Sequence, residues 1–145
     1  MANDDRDAAL RRGDALWQQL CVALDAHGDG EPIGPSTDWT GHDVYAHFGR
    51  WQVVSLATGR ALLAGRRPPR AEEEEDVLNN RWRDEDRSLS SEAVRERCQR
   101  TRAELRDLLM SISAEQWRLW GSKVAADISG EHYAHHVSDA GLQPL

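Results

Sequence analysis

The chain of 145 residues carries 18 Lys and Arg against 25 Asp and Glu, so its formal net charge is −7. An acidic chain is a poor candidate for binding nucleic acid or an anionic membrane. It contains no apolar run long enough to span a bilayer, and its acidic, polar N-terminus does not resemble a signal peptide. We therefore expect residues 1–145 to form a single cytoplasmic domain.

Apolar residues recur at intervals of three and four along four stretches of the chain, which is the spacing of one helix face. The predicted helices span residues 3–26, 41–65, 91–113 and 129–140. The first ends in HGDGEPIGPS, a cluster of Gly and Pro that cannot continue a helix. Thr40 and Asp43 form a variant of the capping box before the second helix, and Ser90 is placed to cap the third. Ser129 and Gly141 are the predicted boundaries of the fourth.

A long connection, RRPPRAEEEEDVLNNRWRDEDRSLS, joins the second and third predicted helices. Its first half is a run of charges that we expect to be solvated, and residues 76–86 are predicted to form a short helix. A connection of this length in a small domain is often functional or covers a site. Because little period-two alternation is present, no strands are expected. The pattern predicts an all-α fold, a four-helix bundle with a long crossover between helices 2 and 3.

Three of the six histidines lie within five positions of EHYAHHVSDA, residues 131–140. His132 and His136 are four residues apart and would project from one helix face, as would His132 and His135 at a spacing of three. His135 and His136 would diverge by roughly 100°. A pair of helical histidines is a weak signal by itself, since solvated pairs and single core histidines are common alternatives.

His47 strengthens the hypothesis of a metal site. It lies on the inner stripe of the second helix, between Val44 and Trp51, where a histidine needs a polar partner. Facing helices of a bundle assemble metal sites from inward side chains. One histidine from the second helix and two from the fourth would form a set of three, which leaves a coordination position open, as in catalytic zinc sites.

Two stretches, DWTGHDVYAHFGRW and SGEHYAHHVSDA, resemble the DinB-like superfamily. That group includes the mycothiol-dependent maleylpyruvate isomerases, the bacillithiol transferases and small ClbS/DfsB-type proteins. Its pattern looks like W(S/T)xxDVxxHxxxW, followed by HxxxH in the final helix. The matching positions here are Trp39, Thr40, Asp43, Val44, His47 and Trp51, then His132 and His136. VLNNRW in the crossover also resembles a stretch that these proteins often carry, and the similarity covers nearly the whole chain.

The resemblance implies an up-down-down-up bundle with a divalent metal on His47, His132 and His136. Zinc is the expected ion, with nickel or iron as alternatives. Some thiol-dependent members carry glutamate where this chain has His132, so activity on maleylpyruvate itself is not expected.

Three neutral imidazoles would leave the charge of the metal uncompensated, so a water or thiol in the open position would lose its proton near neutral pH. We expect a metal-dependent enzyme that activates water, or a thiol such as mycothiol, against a small electrophile. A thiol transferase, an isomerase or a hydrolase would each fit, in detoxification or self-resistance. A non-catalytic bundle that binds a metal or a small ligand is the alternative, and a structural homodimer is a third.

Five further side chains are candidates for the neighbourhood of the metal. Trp51, one turn beyond His47, is predicted to line a cofactor- or substrate-binding pocket. Asn79 and Trp82 in the crossover are predicted to cover it. Glu131 and Asp139 are candidates to orient a ligand imidazole through a hydrogen bond.

Overall fold

The computed structural model of the protein describes residues 2–145, with side chains from residue 3 onward. Over these residues the regular structure is helical, apart from one isolated β-bridge between Pro32 and Thr40, which confirms the all-α prediction. The elements are α1 (Ala2–Asp25), α2 (Gly41–Leu63), α3 (Glu75–Asp86), α4 (Ser91–Ser111), α5 (Ala114–Gln116), a π-helical turn (Trp117–Gly121), α6 (Ser122–Val124), α7 (Ala126–Ser129) and α8 (Glu131–Asp139). None of the helices within residues 2–145 combines the length and the apolarity needed to cross a membrane.

The predicted caps form at the starts of α2 and α4. At the start of α2, the backbone N–H of Asp43 donates to Thr40 Oγ1 at 3.2 Å, and that of Thr40 donates to Asp43 Oδ2 at 3.0 Å. At the start of α4, Ser90 Oγ accepts from the backbone N–H of Ala93 at 3.0 Å. Each bond satisfies a backbone donor that the first turn of a helix leaves without a partner.

The C-terminal region differs from the prediction. Ser129 does not cap the last helix but ends α7, and Gly130 separates α7 from α8 with a φ of 149°. Residues 114–128, to which the periodicity assigned no helix, lie in short helical segments and the turn between them. Pieces of three to five residues complete at most about one turn and a half, so they show no apolar period to detect. Gly141, at φ 78°, lies just past the end of α8, as predicted.

Helix packing brings α2 and α8 together. The inner face of α2 packs against α4, whereas α1 packs against α7 and α8. Three buried aromatic residues, Trp17 of α1, Phe48 of α2 and Tyr133 of α8, meet with ring centroids 6.1, 5.2 and 5.0 Å apart. Gly13 permits the close approach of α1 to α7, because a Cβ at this position would lie 1.8 Å from the carbonyl oxygen of Ile128.

A buried carboxylate holds α3, the helix of the long connection, against α2 and α4. Asp86 accepts from Arg50 of α2 at 2.8 and 3.0 Å and from Arg97 of α4 at 2.7 Å. Burial by itself would raise the pKa of Asp86, but the hydrogen bonds from the two guanidinium groups outweigh it and lower the pKa. The carboxylate therefore stays ionised at neutral pH and keeps α3 close to the middle of α2.

Candidate metal centre

Three histidines converge from α2 and α8. The ligand nitrogens of His47, His132 and His136 all lie within 4.8 Å of one another. Nε2 of His47 and Nε2 of His132 are 2.8 Å apart. The three ring centroids are separated by 4.9, 5.2 and 5.1 Å. Nitrogens that share a tetrahedral zinc at about 2.0–2.1 Å lie roughly 3.3 Å apart, so the observed cluster is close to the size that one ion requires.

Burial keeps two of these imidazoles in the neutral form that binds metals. His47 and His136 are only 8% and 7% exposed. Burial, reinforced by the neighbouring histidines, lowers the pKa of His47 to about 2 and that of His136 to about 3. Both side chains are therefore unprotonated at neutral pH, with a ring nitrogen available to bind a cation.

His136 also carries a buried polar atom that lacks a hydrogen bond. Within the described residues, its Nδ1 is inaccessible to solvent and has no hydrogen-bond partner. Oδ2 of Asp139 lies 3.3 Å away, at ion-pair distance but outside hydrogen-bond geometry. A buried polar atom without a partner is uncommon in folded proteins and calls for an explanation. A bound ion that draws the histidines together is one such explanation, so the residues present fit a metal.

Asp127 fixes the orientation of His132. Its Oδ1 accepts a hydrogen bond from Nδ1 of His132 at 2.9 Å, and its Oδ2 accepts from Oγ of Ser55 on α2 at 2.7 Å. With the proton on Nδ1, a neutral His132 presents the lone pair of Nε2 toward His47. A carboxylate behind a metal-binding histidine has this arrangement in many sites. Asp127 and Ser55 were not predicted from the sequence, because a spacing of five residues to His132 and a single serine on α2 are not recognisable patterns.

Two aromatic residues, Phe48 and Trp39, pack against the histidines from the interior of the protein. The Phe48 ring centroid lies 4.4, 5.6 and 5.3 Å from those of His132, His47 and His136. Trp39 packs edge-on against His47 at 5.1 Å. Phe48 follows His47 directly in α2, and Trp39 directly precedes the N-cap of the same helix. The rings leave the histidines accessible from the opposite side.

A cleft of about 410 Å³ opens over the three histidines. Its other lining residues come from the loop before α2, from α3 and from α8: Thr37, Trp39, Glu75, Asp76, Asn79, His135 and Asp139. The side chain of His135 is 70% exposed at this cleft, and its Nε2 lies 3.6 Å from Asp139 Oδ2. The structure therefore groups His136, and not His135, with His132 and His47.

The other predicted residues occupy different positions around the cleft. Asn79 lines it directly, and Trp51 Nε1 donates to Asn79 Oδ1 at 2.7 Å. Trp82 packs edge-on against Trp51 at 5.1 Å and lines a narrow space beside His47. That these three side chains bind a cofactor stays a prediction. Of the two carboxylates expected to orient a histidine, Asp139 lies beside His136, while Glu131 is exposed.

Fold and site together define an all-helical protein with a cluster of three histidines at the base of a cleft. Comparisons of the chain with protein-family models, with curated proteins and with solved structures found no match. The resemblance of its two motifs to the DinB-like superfamily therefore stays a prediction.

Proposed function

We propose that the protein is a metal-dependent enzyme of the DinB-like type that activates a thiol or water against a small electrophile. The observation that carries the proposal is the convergence of His47, His132 and His136, within 4.8 Å of one another, at the base of a cleft. In this proposal α1, α2, α4 and the α7–α8 segment are the four helices of a bundle, and α3 belongs to the crossover. The packing of α2 on α4 and of α1 on α7 and α8 supports that arrangement.

The donor set favours a divalent transition metal. Three imidazoles without a thiolate suit zinc, with nickel and iron as alternatives. When bound, such an ion supplies Lewis acidity that lowers the pKa of a water or a thiol reaching it. A low-molecular-weight thiol such as mycothiol is the cofactor that the family resemblance suggests.

The surrounding side chains have separate tasks in this proposal. Asp127 holds His132 in the tautomer that presents Nε2 to the site, and Phe48 excludes water from the protein side of the cluster. Asp139, at 3.3 Å from Nδ1 of His136, is placed to accept a proton released in the cleft. Asn79, held by Trp51, offers a polar contact to a substrate in the cleft.

Metal content tests the proposal. We expect purified wild-type protein, measured by inductively coupled plasma mass spectrometry, to hold about one divalent ion per chain, as a three-histidine site binds one. His47→Ala removes a ligand and should reduce the content below about a tenth of that value. His135→Ala, which changes an exposed neighbour of the cluster, is the matched control and should retain the metal. Wild-type protein that stays metal-free after incubation with zinc, nickel or iron would contradict the proposal.

Turnover separates an enzyme from a binding protein. The metal-loaded protein would be assayed with a panel of thiols, including mycothiol, and with epoxide and cyclopropane electrophiles in the presence and absence of each thiol. We expect product formation that His47→Ala abolishes. Stoichiometric metal without turnover across the panel would favour the alternative, a non-catalytic bundle that binds a metal or a small ligand.

A further inference from the structure

A second cavity, of about 390 Å³, lies between α2, α3 and the segment that precedes α3. We call it the α2–α3 groove. Its apolar wall is formed by Val53, Val54 and Ala57 of α2 together with Leu78 and Trp82 of α3. None of the three clustered histidines is among the residues that line it. The groove is therefore a separate site on the surface of the same helices.

The apolar wall is exposed to solvent. Val53 and Val54 are 48% and 36% exposed, although they lie in the middle of a helix. Phe48, Gln52 and Leu56 form the buried face of α2, and the two valines lie outside that face. A solvent-facing helix surface usually carries polar residues. Adjacent exposed valines that line a concave surface are typical of a place where an apolar ligand binds.

An arginine-rich cavity adjoins the groove. It has a volume of about 380 Å³ and is lined by Arg60, Arg66 and Arg67, and it shares Ala57 and Pro69 with the groove. Two of these arginines, Arg66 and Arg67, belong to the RRPPR segment, whose charges were expected to be solvated. Together the two cavities are lined by five arginines and two glutamates, so their charge is positive in a protein whose net charge is −7.

The arginines of this cavity are available to a ligand. Over residues 2–145, no carboxylate lies within ion-pair distance of Arg66, Arg67 or Arg70. Arg60 forms an exposed pair with Glu104 at 3.5 Å, and such pairs are weak. Of the two glutamates in the groove, Glu73 is already paired with Arg81. Planar guanidinium groups bind a carboxylate or sulfonate through two parallel hydrogen bonds.

We propose that the α2–α3 groove binds a small amphipathic anion. The apolar part of the ligand lies against Val53, Val54 and Ala57, and its carboxylate or sulfonate faces Arg66 and Arg67. The groove volume falls within the range of small-molecule sites, roughly 300–1,000 Å³. A free small molecule fits a concave site better than a membrane surface does, and the net negative charge of the chain opposes binding to an anionic bilayer. The metal centre is not needed for this binding.

Titration with octanoate tests the proposal. Isothermal titration calorimetry of the full chain should show saturable binding of octanoate. The total tryptophan fluorescence, to which Trp82 contributes from the groove, should change over the same concentrations. Octan-1-ol, with the same chain length but no charge, should bind at least about tenfold more weakly, because it lacks the group that the arginines recognise. Octylamine should bind more weakly still.

Two variants locate the binding. Arg66→Gln combined with Arg67→Gln should weaken octanoate at least about tenfold and leave octan-1-ol unchanged. Ala57→Glu, at an exposed position shared by both cavities, should abolish binding of both ligands. The matched control combines Arg11→Gln with Arg100→Gln, which removes two exposed charges elsewhere and should leave the affinity unchanged. His47→Ala should also bind octanoate normally, which separates this proposal from that of the metal centre.

Three results would overturn the proposal. The first is the absence of saturable octanoate binding by the wild-type chain. The second is an affinity for octanoate that survives both the double arginine substitution and Ala57→Glu. The third is co-sedimentation with phosphatidylglycerol vesicles, but not with phosphatidylcholine vesicles, without binding of monomeric octanoate. That last outcome would assign the groove to a lipid surface instead of a free small molecule.

Discussion

Asp127 is the residue that determines what His132 presents to the site. Its Oδ1 accepts a hydrogen bond from Nδ1–H of His132 at 2.9 Å, which orients Nε2 of that ring toward His47. Ser55 donates to the other carboxylate oxygen at 2.7 Å and so holds Asp127 itself in place from α2. The hydrogen bonds Ser55–Asp127 and Asp127–His132 therefore connect α2 and α8, the two helices that carry the histidine cluster, through a residue that is not itself in the cluster.

Asp127→Asn should weaken zinc binding about 10- to 100-fold, because a neutral amide supports the basic form of His132 less well than a carboxylate. The measurement is a competition titration against a chromophoric chelator. Glu131→Gln, an exposed acid one residue before His132, is the control and should change the affinity less than about twofold. Equal affinities for Asp127→Asn and wild type, with unchanged circular dichroism, would contradict the role assigned to Asp127.

Because two histidines are buried, we expect the free energy of unfolding of the metal-free protein to depend on pH. Their folded-state pKa values, about 2 for His47 and about 3 for His136, lie below the 6.5 of an unperturbed histidine. Below pH 6.5 the unfolded chain therefore binds more protons than the folded one, and the free energy of unfolding falls with the pH until the folded-state values are reached. Between pH 7 and pH 5 the combined loss should be on the order of 2–4 kcal/mol.

Urea denaturation in the presence of a chelator, at pH 7, 6 and 5, measures this loss. His136→Gln should reduce the slope with pH by about half, since one of two buried imidazoles is removed. His135→Gln, at an exposed position, should leave the slope unchanged. A stability that does not vary between pH 7 and pH 5 would show that the histidines are not held neutral by burial.

At the scale of elements, the connection between α2 and α4 is anchored and not a free loop. Asp86, in the last turn of α3, lies between Arg50 of α2 and Arg97 of α4. The neighbouring Glu85 also pairs with Arg50, at 3.0 Å, but is 44% exposed. Asp86 and Glu85 thus both form an ion pair with Arg50, but the carboxylate of Asp86 is buried and that of Glu85 is partly exposed to solvent.

Asp86→Ala should lower the free energy of unfolding by about 2–4 kcal/mol, because it removes the buried carboxylate that Arg50 and Arg97 share and leaves Arg97 without a carboxylate partner. Glu85→Ala should cost less than about 1 kcal/mol, since an exposed ion pair contributes little. Urea unfolding at neutral pH compares the two variants directly. Similar losses for both would mean that the burial of Asp86 does not strengthen its bonds.

At the scale of the whole molecule, the histidine cluster joins parts of the chain that are 85 residues apart, from His47 to His132. The aromatic contact of Trp17, Phe48 and Tyr133 also joins α2 to α8, and it brings α1 against both helices. An ion bound there would make contacts that the unfolded chain cannot make. Metal binding and global stability should therefore be linked.

Zinc at 100 times its dissociation constant should stabilise the wild-type protein by about 2.7 kcal/mol. For a chain of this size, that corresponds to a rise in Tm of roughly 5–10 °C, measured by differential scanning calorimetry with zinc or with a chelator. His135→Ala should show the same rise, and His47→Ala should show none. A rise that persists in His47→Ala would place the metal elsewhere in the molecule.

Periodicity and capping residues predicted the long helices well, because those signals are local. The spacing of apolar residues identifies α1, α2 and α4 from neighbouring positions alone. The capping side chains also bond to backbone groups only three residues away, as Thr40, Asp43 and Ser90 do. The short helix predicted in the connection, residues 76–86, is present as Glu75–Asp86. The segments between 114 and 129 were missed, since each is too short for a repeat and is stabilised by contacts with distant helices.

The amino-acid sequence by itself determined that the chain is helical and that His132 and His136 share one helix face, because both follow from local backbone geometry. It also singled out His47 as the third histidine. Only the tertiary structure decided that these side chains meet within 4.8 Å, that Asp127 and Ser55 lie behind them, and that Phe48 lies among their rings. Those contacts join residues far apart in the chain, and their distances depend on how α1, α2 and α8 pack around one aromatic core, which no local pattern encodes.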